Sequence, residues 1–254
     1  MAAQAVDDRV AQVWDRLRTV TDPELDESVV DLNFVTEATV GADGRVQIGF
    51  RLPTYWCAAN FSYLMADDMR AAVAALSWVS GVDLRIDEHM YADKINAGLA
   101  RSASFEEAFG DEAEGDLAGL RRTFLLKAFQ RRQSALLDRL VAAGHGAAAL
   151  ADMTVEELRR LRLDAETDAL RARYLERREV AAAPGVRRAF VDVEGDRLQA
   201  ETLPVYMRAL RRVSINAEFN GALCRGLLKE RYGLDVLDAD SAEMTRRRSA
   251  TAQG

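Results

Sequence analysis

Cysteine and histidine are scarce in this chain, with two of each among 254 residues. Two thiols do not make a disulfide framework in so long a protein, so both are expected to be reduced. No apolar run approaches the roughly 18 residues that a membrane-spanning helix needs. The opening stretch, MAAQAVDDRVAQVWDRL, lacks the basic start and apolar core of a signal peptide, and a cytoplasmic protein is expected. There is no Gly-rich phosphate loop, which argues against nucleotide hydrolysis. Positive charge is sparse in the first half: residues 1–110 hold 9 Lys and Arg against 18 Asp and Glu. That balance repels nucleic-acid phosphates and argues against a nucleic-acid partner, as the missing spans argue against a membrane one. What remains is a chain of 49% hydrophobic residues, long enough to bury a sizeable core and to form two domains.

The first hundred residues alternate between helical and strand patterns. Val6, Val10, Val13, Trp14 and Leu17 recur at helical spacing and predict a helix over 5–19. In TDPELDES, Asp22 before Pro23 fits an N-cap and first helical position, predicting a short helical turn. NFVTEATV and RVQIGFRL flank GADG, and Val46, Ile48, Phe50 and Leu52 alternate strictly, which reads as a hairpin. Phe61, Leu64, Met65, Ala72, Val73 and Leu76 mark a second helix. GVDLRIDEH then supplies a third strand with Val82, Leu84 and Ile86 on one face. The order predicts an α+β fold, a small α-β-β-α-β sandwich over residues 1–97, followed by a mostly α-helical domain.

Residues 98–118, rich in Gly, Ser and acids, read as a linker or mobile cover. A helical domain over 119–237 follows. Its marks are a long helix from Leu120 closed by glycine, a Thr154–Glu157 capping box, a small hairpin turning at EGD, and a helix opened by Pro204. Residues 238–254 read as a frayed tail.

A strand, a crossover helix and a second strand form a right-handed parallel unit. The loop LPTYWCAANF therefore falls on the same sheet edge as the end of the third strand, with His89, and the entry to the first strand, with Asp22 and Asp31. Asp22, Asp31, Thr54, Cys57 and His89 are the candidate site. Cys57 sits just before the second helix, where open backbone N–H groups and the helix dipole favour a thiolate. A thiolate binds soft metals or attacks electrophiles. Tyr55 and Trp56 are expected to shield it and Thr54 to hydrogen-bond it. The plain readings are a packed cysteine, an N-capping aspartate, and a solvated or structurally bonded histidine on the polar face. Cys224 lies on the stripe Leu210, Val213, Ala217, Cys224, Leu228 and reads as helix-interface core. His145, in GHG, reads as a loop residue.

TDPELDESVVDLNFV, a strand, LPTYWCAANF, a helix and GVDLRIDEH together resemble the iron–sulfur cluster assembly family, which includes bacterial SufT and PaaD proteins and eukaryotic MIP-type cytosolic factors. The likeness covers roughly residues 6–95. It implies a maturation factor that delivers iron–sulfur clusters or iron, held transiently, to a client metalloprotein. Asp22, Pro23 and Glu24 match the opening motif, Asp31 the strand-leading aspartate, and Thr54 and Cys57 the loop, with Cys57 the reactive thiol. Three features depart from the pattern. Ala58 stands where proline usually follows the cysteine, Asn33 stands where glycine usually follows Asp-Leu, and no tryptophan-containing end is evident. The helical extension also lies outside the common family. Long members look like accessory proteins of di-iron monooxygenases, which makes an oxygenase component a candidate client.

One Cys57 per chain cannot supply the four cysteines that a cluster usually takes. Either a homo-oligomer pairs two such thiols, or the cargo is held briefly with the client's help. A single iron held by Cys57, His89 and carboxylates is chemically feasible. Two other functions stay open. One is a non-catalytic structural or regulatory subunit of an oxygenase. The other is a cysteine-dependent enzyme, for which only His89 is available as the base.

Overall fold

The computed structural model describes residues 2–113 and 116–233. The expected tail at 238–254 lies outside the described residues. The chain divides into two units. One runs to Gly119 and takes up again from Asn220; the other is Leu120–Phe219.

In the first unit, α1 (Ala2–Arg18) leads into β1 (Val35–Val40) and β2 (Arg45–Phe50), then α2 (Ala59–Ala74) and β3 (Gly81–Ile86). β2 is central, antiparallel to β1 and parallel to β3, with Val35 opposite Phe50 and Phe50 opposite Ile86. The alternation read from the sequence sets the buried face. Val46, Ile48 and Phe50 lie in the core with Leu84 and Ile86, while Arg45 and Gln47 face solvent. α1 adds Val13 and Leu17 to this core, and α2 adds Met65, Met69 and Val73. Each side chain so buried contributes roughly 1.5–3 kcal/mol. Gly44 turns the hairpin at φ 82°, where an added Cβ would meet the Trp78 carbonyl at 2.7 Å.

The segment expected as a linker is folded. It holds the last three residues of α3 (Ala92–Ala100), then α4 (Phe105–Phe109) and a 3-10 turn (Gly110–Glu112). Phe105 and Phe109 are buried and pack edge-on to Tyr63, whose hydroxyl donates to the Ala103 carbonyl at 2.5 Å. A capping box of Ser104 and Glu107 starts α4.

The second unit is helical. It contains α5 (Leu117–Ala142) from Leu120 onward, α6 (Ala147–Asp152), α7 (Val155–Arg160), α8 (Ala165–Arg178) and α9 (Leu203–Tyr232) as far as Phe219. The Thr154–Glu157 capping box forms as expected. The expected hairpin is a single antiparallel bridge, Val191 to Arg197, because the chain turns through Asp192–Asp196 without strand on either side. Phe129, Leu136, Leu140, Leu158, Tyr174 and Phe190 form the core. Gln133 is fully buried inside it. Its amide donates to Val191 O at 2.8 Å and its carbonyl accepts from the Tyr206 hydroxyl at 2.6 Å.

Candidate functional site

The site grows from three segments that the sheet brings to one edge. The first is the turn at residues 20–28, closed by the Thr21–Ser28 bridge. The helical turn expected at Asp22–Pro23 forms: the Asp26 N–H donates to the Asp22 carbonyl at 2.9 Å, and the backbone N–H groups of Glu24 and Leu25 bond to the Asp22 side chain as they do at an N-cap. They donate to Oδ1 at 2.9 and 2.7 Å. Asp22 is buried, and burial pushes its carboxyl up to about 6; the two N–H bonds act against this, and the charges of Glu24 and Glu27 add to it. Asp31 is half-buried in the following turn. Asn33 ends that turn at φ 56°. This is left-handed backbone, which glycine adopts freely and which asparagine tolerates better than most residues. The departure from the family pattern at this position thus preserves the turn.

The second segment is the loop between β2 and α2. Cys57 precedes the Ala58 N-cap of α2 and is half-buried. Its Sγ lies 3.0 Å from Thr54 Oγ1, the contact expected from the sequence. Ala58 sits at φ −60°, ψ 129°, backbone that proline would also adopt. Tyr55 and Trp56, expected to shield the thiol, are themselves largely exposed. They are 51% and 70% exposed, and with Met90 and Tyr91 they form an apolar rim beside it.

The third segment follows β3. His89 is buried rather than solvated, and both ring nitrogens are engaged. The Tyr91 N–H donates to Nδ1 at 3.1 Å, so Nε2 carries the proton and donates to the Cys57 carbonyl at 2.8 Å. Burial lowers the His89 pKa, and the bond to Cys57 opposes that. His89 therefore fixes the loop backbone and has no ring nitrogen free for a metal or as a base. The Met90 N–H donates to Tyr55 O at 2.8 Å and ties the two segments a second time.

The sequence did not reveal a fourth contributor. The last turns of α9 belong to this unit, not to the helical domain in which they were expected. Asn220 donates to Glu24 at 2.8 Å and Arg225 pairs with Glu27 at 3.0 Å. Arg231 donates to the Pro53 carbonyl at 3.1 Å and to Glu88 at 3.0 Å, and the Tyr232 hydroxyl also donates to Glu88 at 3.0 Å. Cys224 rides on this stretch. It is half-buried against the first unit's core, as is Cys57. Burial, followed by the charges of Asp22, Cys57 and Glu24, pushes its thiol up to about 12. Cys224 thus packs at a helix interface, as read from its stripe, and the core it packs against is that of the first unit. The face Asn220, Cys224, Leu228, Arg231 repeats at helical spacing and was visible in the sequence. Its partner, nearly 200 residues upstream, was not.

Among the described residues, no three His, Cys, Asp or Glu side chains group closely enough to hold a metal ion, and no helix is long and apolar enough to cross a membrane.

Comparison with known proteins bears on residues 10–84, which match the family model for iron–sulfur cluster assembly protein. A curated relative from Porphyromonas gingivalis (strain ATCC BAA-308 / W83), named Fe-S protein maturation auxiliary factor, is 39% identical over 69 residues. The match takes in 27% of this chain and spans 63% of the relative's length.

Proposed function

We propose, from the match of residues 10–84 to the iron–sulfur cluster assembly model, that this protein is a non-catalytic auxiliary factor in iron–sulfur protein maturation, and that Cys57 contacts the iron or cluster passed to a client. The observation that carries the reading is the arrangement of the Cys57 loop. The thiol is half-buried, bonded to Thr54, and edged by exposed Tyr55, Trp56, Met90 and Tyr91. Exposed aromatics beside a reactive group suit a protein partner better than a small substrate, because they supply contact area at low entropic cost. A cysteine-dependent enzyme is disfavoured, since the one nearby imidazole is committed to backbone bonds. Iron or a cluster is thus transient cargo, and the client completes its coordination.

A second reading, a structural or regulatory subunit of an oxygenase, draws on α9, where Ile215, Phe219 and Leu223 are exposed at four-residue spacing. Such a stripe suits a partner helix, from an oxygenase component or from a second copy of this chain.

The test is anaerobic incubation of the full chain with ferrous iron and sulfide, wild type beside Cys57→Ser. Serine keeps a group that can bond Thr54. The delivery reading expects a visible chromophore in the wild type that is lost in the variant. Equal chromophore in both proteins removes Cys57 as the cargo contact. No chromophore in either, with client maturation undiminished by the variant, favours the subunit reading.

A further inference from the structure

We infer that Cys57 and Cys224 together form a two-thiol site for a thiophilic divalent ion such as ferrous iron, with α9 supplying the second sulfur. The inference rests on the delivery reading and names the ligand that Cys57 lacks.

The argument starts from helix register. Asn220, Cys224, Leu228 and Arg231 are spaced four, four and three residues apart, so they share one face of α9. Three of the four are anchored to the first unit. Asn220 bonds Glu24 on the Asp22 turn, Leu228 is fully buried in the core with Leu25 and Leu52, and Arg231 bonds the Pro53 carbonyl. Cys224 lies between these anchors, one turn from the contact to the acidic turn and two turns from the contact to the loop that carries Cys57. The Arg225–Glu27 pair fixes the helix rotation. Both thiols are half-buried against the same core, and each lies within electrostatic reach of the other.

The chemistry suits a soft dication. The charges of Glu24 and of the buried Asp22 act on the Cys224 sulfur, and this acidic surrounding favours a positive ion. Binding exchanges protons for metal: M2+ plus two RSH gives M(SR)2 and two protons. Thiolate ligands select thiophilic ions over magnesium or calcium. No three His, Cys, Asp or Glu side chains group closely enough to hold a metal ion among the described residues, so a two-sulfur site leaves the remaining coordination positions open. An ion held by two sulfurs with open positions can be handed on, as delivery requires. His89 cannot be the second ligand, since both its nitrogens are bonded.

The chain has only these two cysteines, so any two-thiol signal within one chain reports on this pair. The first experiment needs no substitution. The full-length, reduced protein is treated with phenylarsine oxide, which condenses with two thiols to give PhAs(SR)2 and one water, and is then weighed intact. A one-to-one adduct that survives excess monothiol is expected. No stable adduct, or one bridging two chains, overturns the inference. The second experiment titrates cadmium and follows sulfur-to-metal charge-transfer absorption. Cys224→Ser and Cys224→Ala should each lose about half the absorption and bind at least ~10-fold more weakly. Wild-type cadmium binding in both variants overturns the second ligand and leaves Cys57 as cargo contact. Failure of the delivery reading shows separately, as a Cys57→Ser protein that keeps the wild-type iron–sulfide chromophore.

Discussion

Asp22 is the side chain whose perturbation has the clearest expected sign. Folding buries its carboxyl and raises its pKa from 3.8 to about 6. The protonated form is therefore the one that folding favours. The associated stability is fully present below about pH 4 and is lost as pH rises through about 6. A shift of about two units corresponds to roughly 3 kcal/mol at neutral pH. Asp22→Asn removes the charge and keeps an oxygen to accept from the Glu24 and Leu25 N–H groups, since asparagine is as good a cap. The new amide N–H2 and the loss of charge-assisted bonding take back about 1–2 kcal/mol. The variant should be about 1–2 kcal/mol more stable than wild type at pH 7.5 and equal or less stable at pH 4. All three tryptophans, Trp14, Trp56 and Trp78, lie in the first unit. Urea unfolding followed by tryptophan fluorescence thus reports that unit without the helical one. The decisive quantity is the change in the variant-minus-wild-type difference across pH, expected near 3 kcal/mol. A difference that stays flat from pH 4 to 7.5 would show that no strained carboxyl is buried there.

Three further substitutions probe the frame around the site. Ala58→Pro should be neutral or stabilise by about 0.4–1 kcal/mol, because the backbone is already at φ −60°; fluorescence-monitored unfolding showing a loss above that size would contradict it. Gly98→Ala pits helix propensity, worth about 1 kcal/mol in alanine's favour, against an added Cβ 2.7 Å from Ala108 Cβ and 2.9 Å from Tyr63 Oη. Overpacking should win by about 1–3 kcal/mol, seen as a lower urea midpoint by fluorescence. Gln133→Leu strips partners from the Tyr206 hydroxyl and the Val191 carbonyl inside the helical unit and should cost about 2–3 kcal/mol. Hydrogen exchange of α5 and α8 should quicken roughly 30-fold or more, and unchanged protection would refute the role of the network.

The sheet was legible because its signals are local. Strict alternation at Val46, Ile48 and Phe50 sets the buried face, and crossover handedness then places Cys57, His89 and the Asp22 turn on one edge. The segment at 98–118 was misread because glycine and acid content outweighed a short signal. Ser104 and Glu107 form a capping box around Phe105 and Phe109, but five residues of helix carry too little periodicity to stand out. His89 was placed on the correct edge, and of its two plain readings, solvated or structurally bonded, the structure shows the second, with the ring buried. Its burial comes from Ser62 and the Cys57 carbonyl, partners about 30 residues away that no local pattern reveals.

Two of the three departures from the motif, Asn33 and Ala58, and the unexpected helix bear on the same problem, which is holding a cysteine loop in place. Asn33 takes up the left-handed turn and Ala58 keeps a proline-like backbone, so neither change releases the loop. Alanine does not stiffen the chain as a proline ring would, since it leaves φ free to vary in the unfolded chain. The restraint is supplied by contacts instead. His89 grips the Cys57 carbonyl, Met90 grips Tyr55, and Arg231 grips Pro53. The last of these comes from α9, outside residues 10–84. The last turns of α9 thereby restrain this loop from outside the matched residues, and they carry Cys224 against the same core as Cys57.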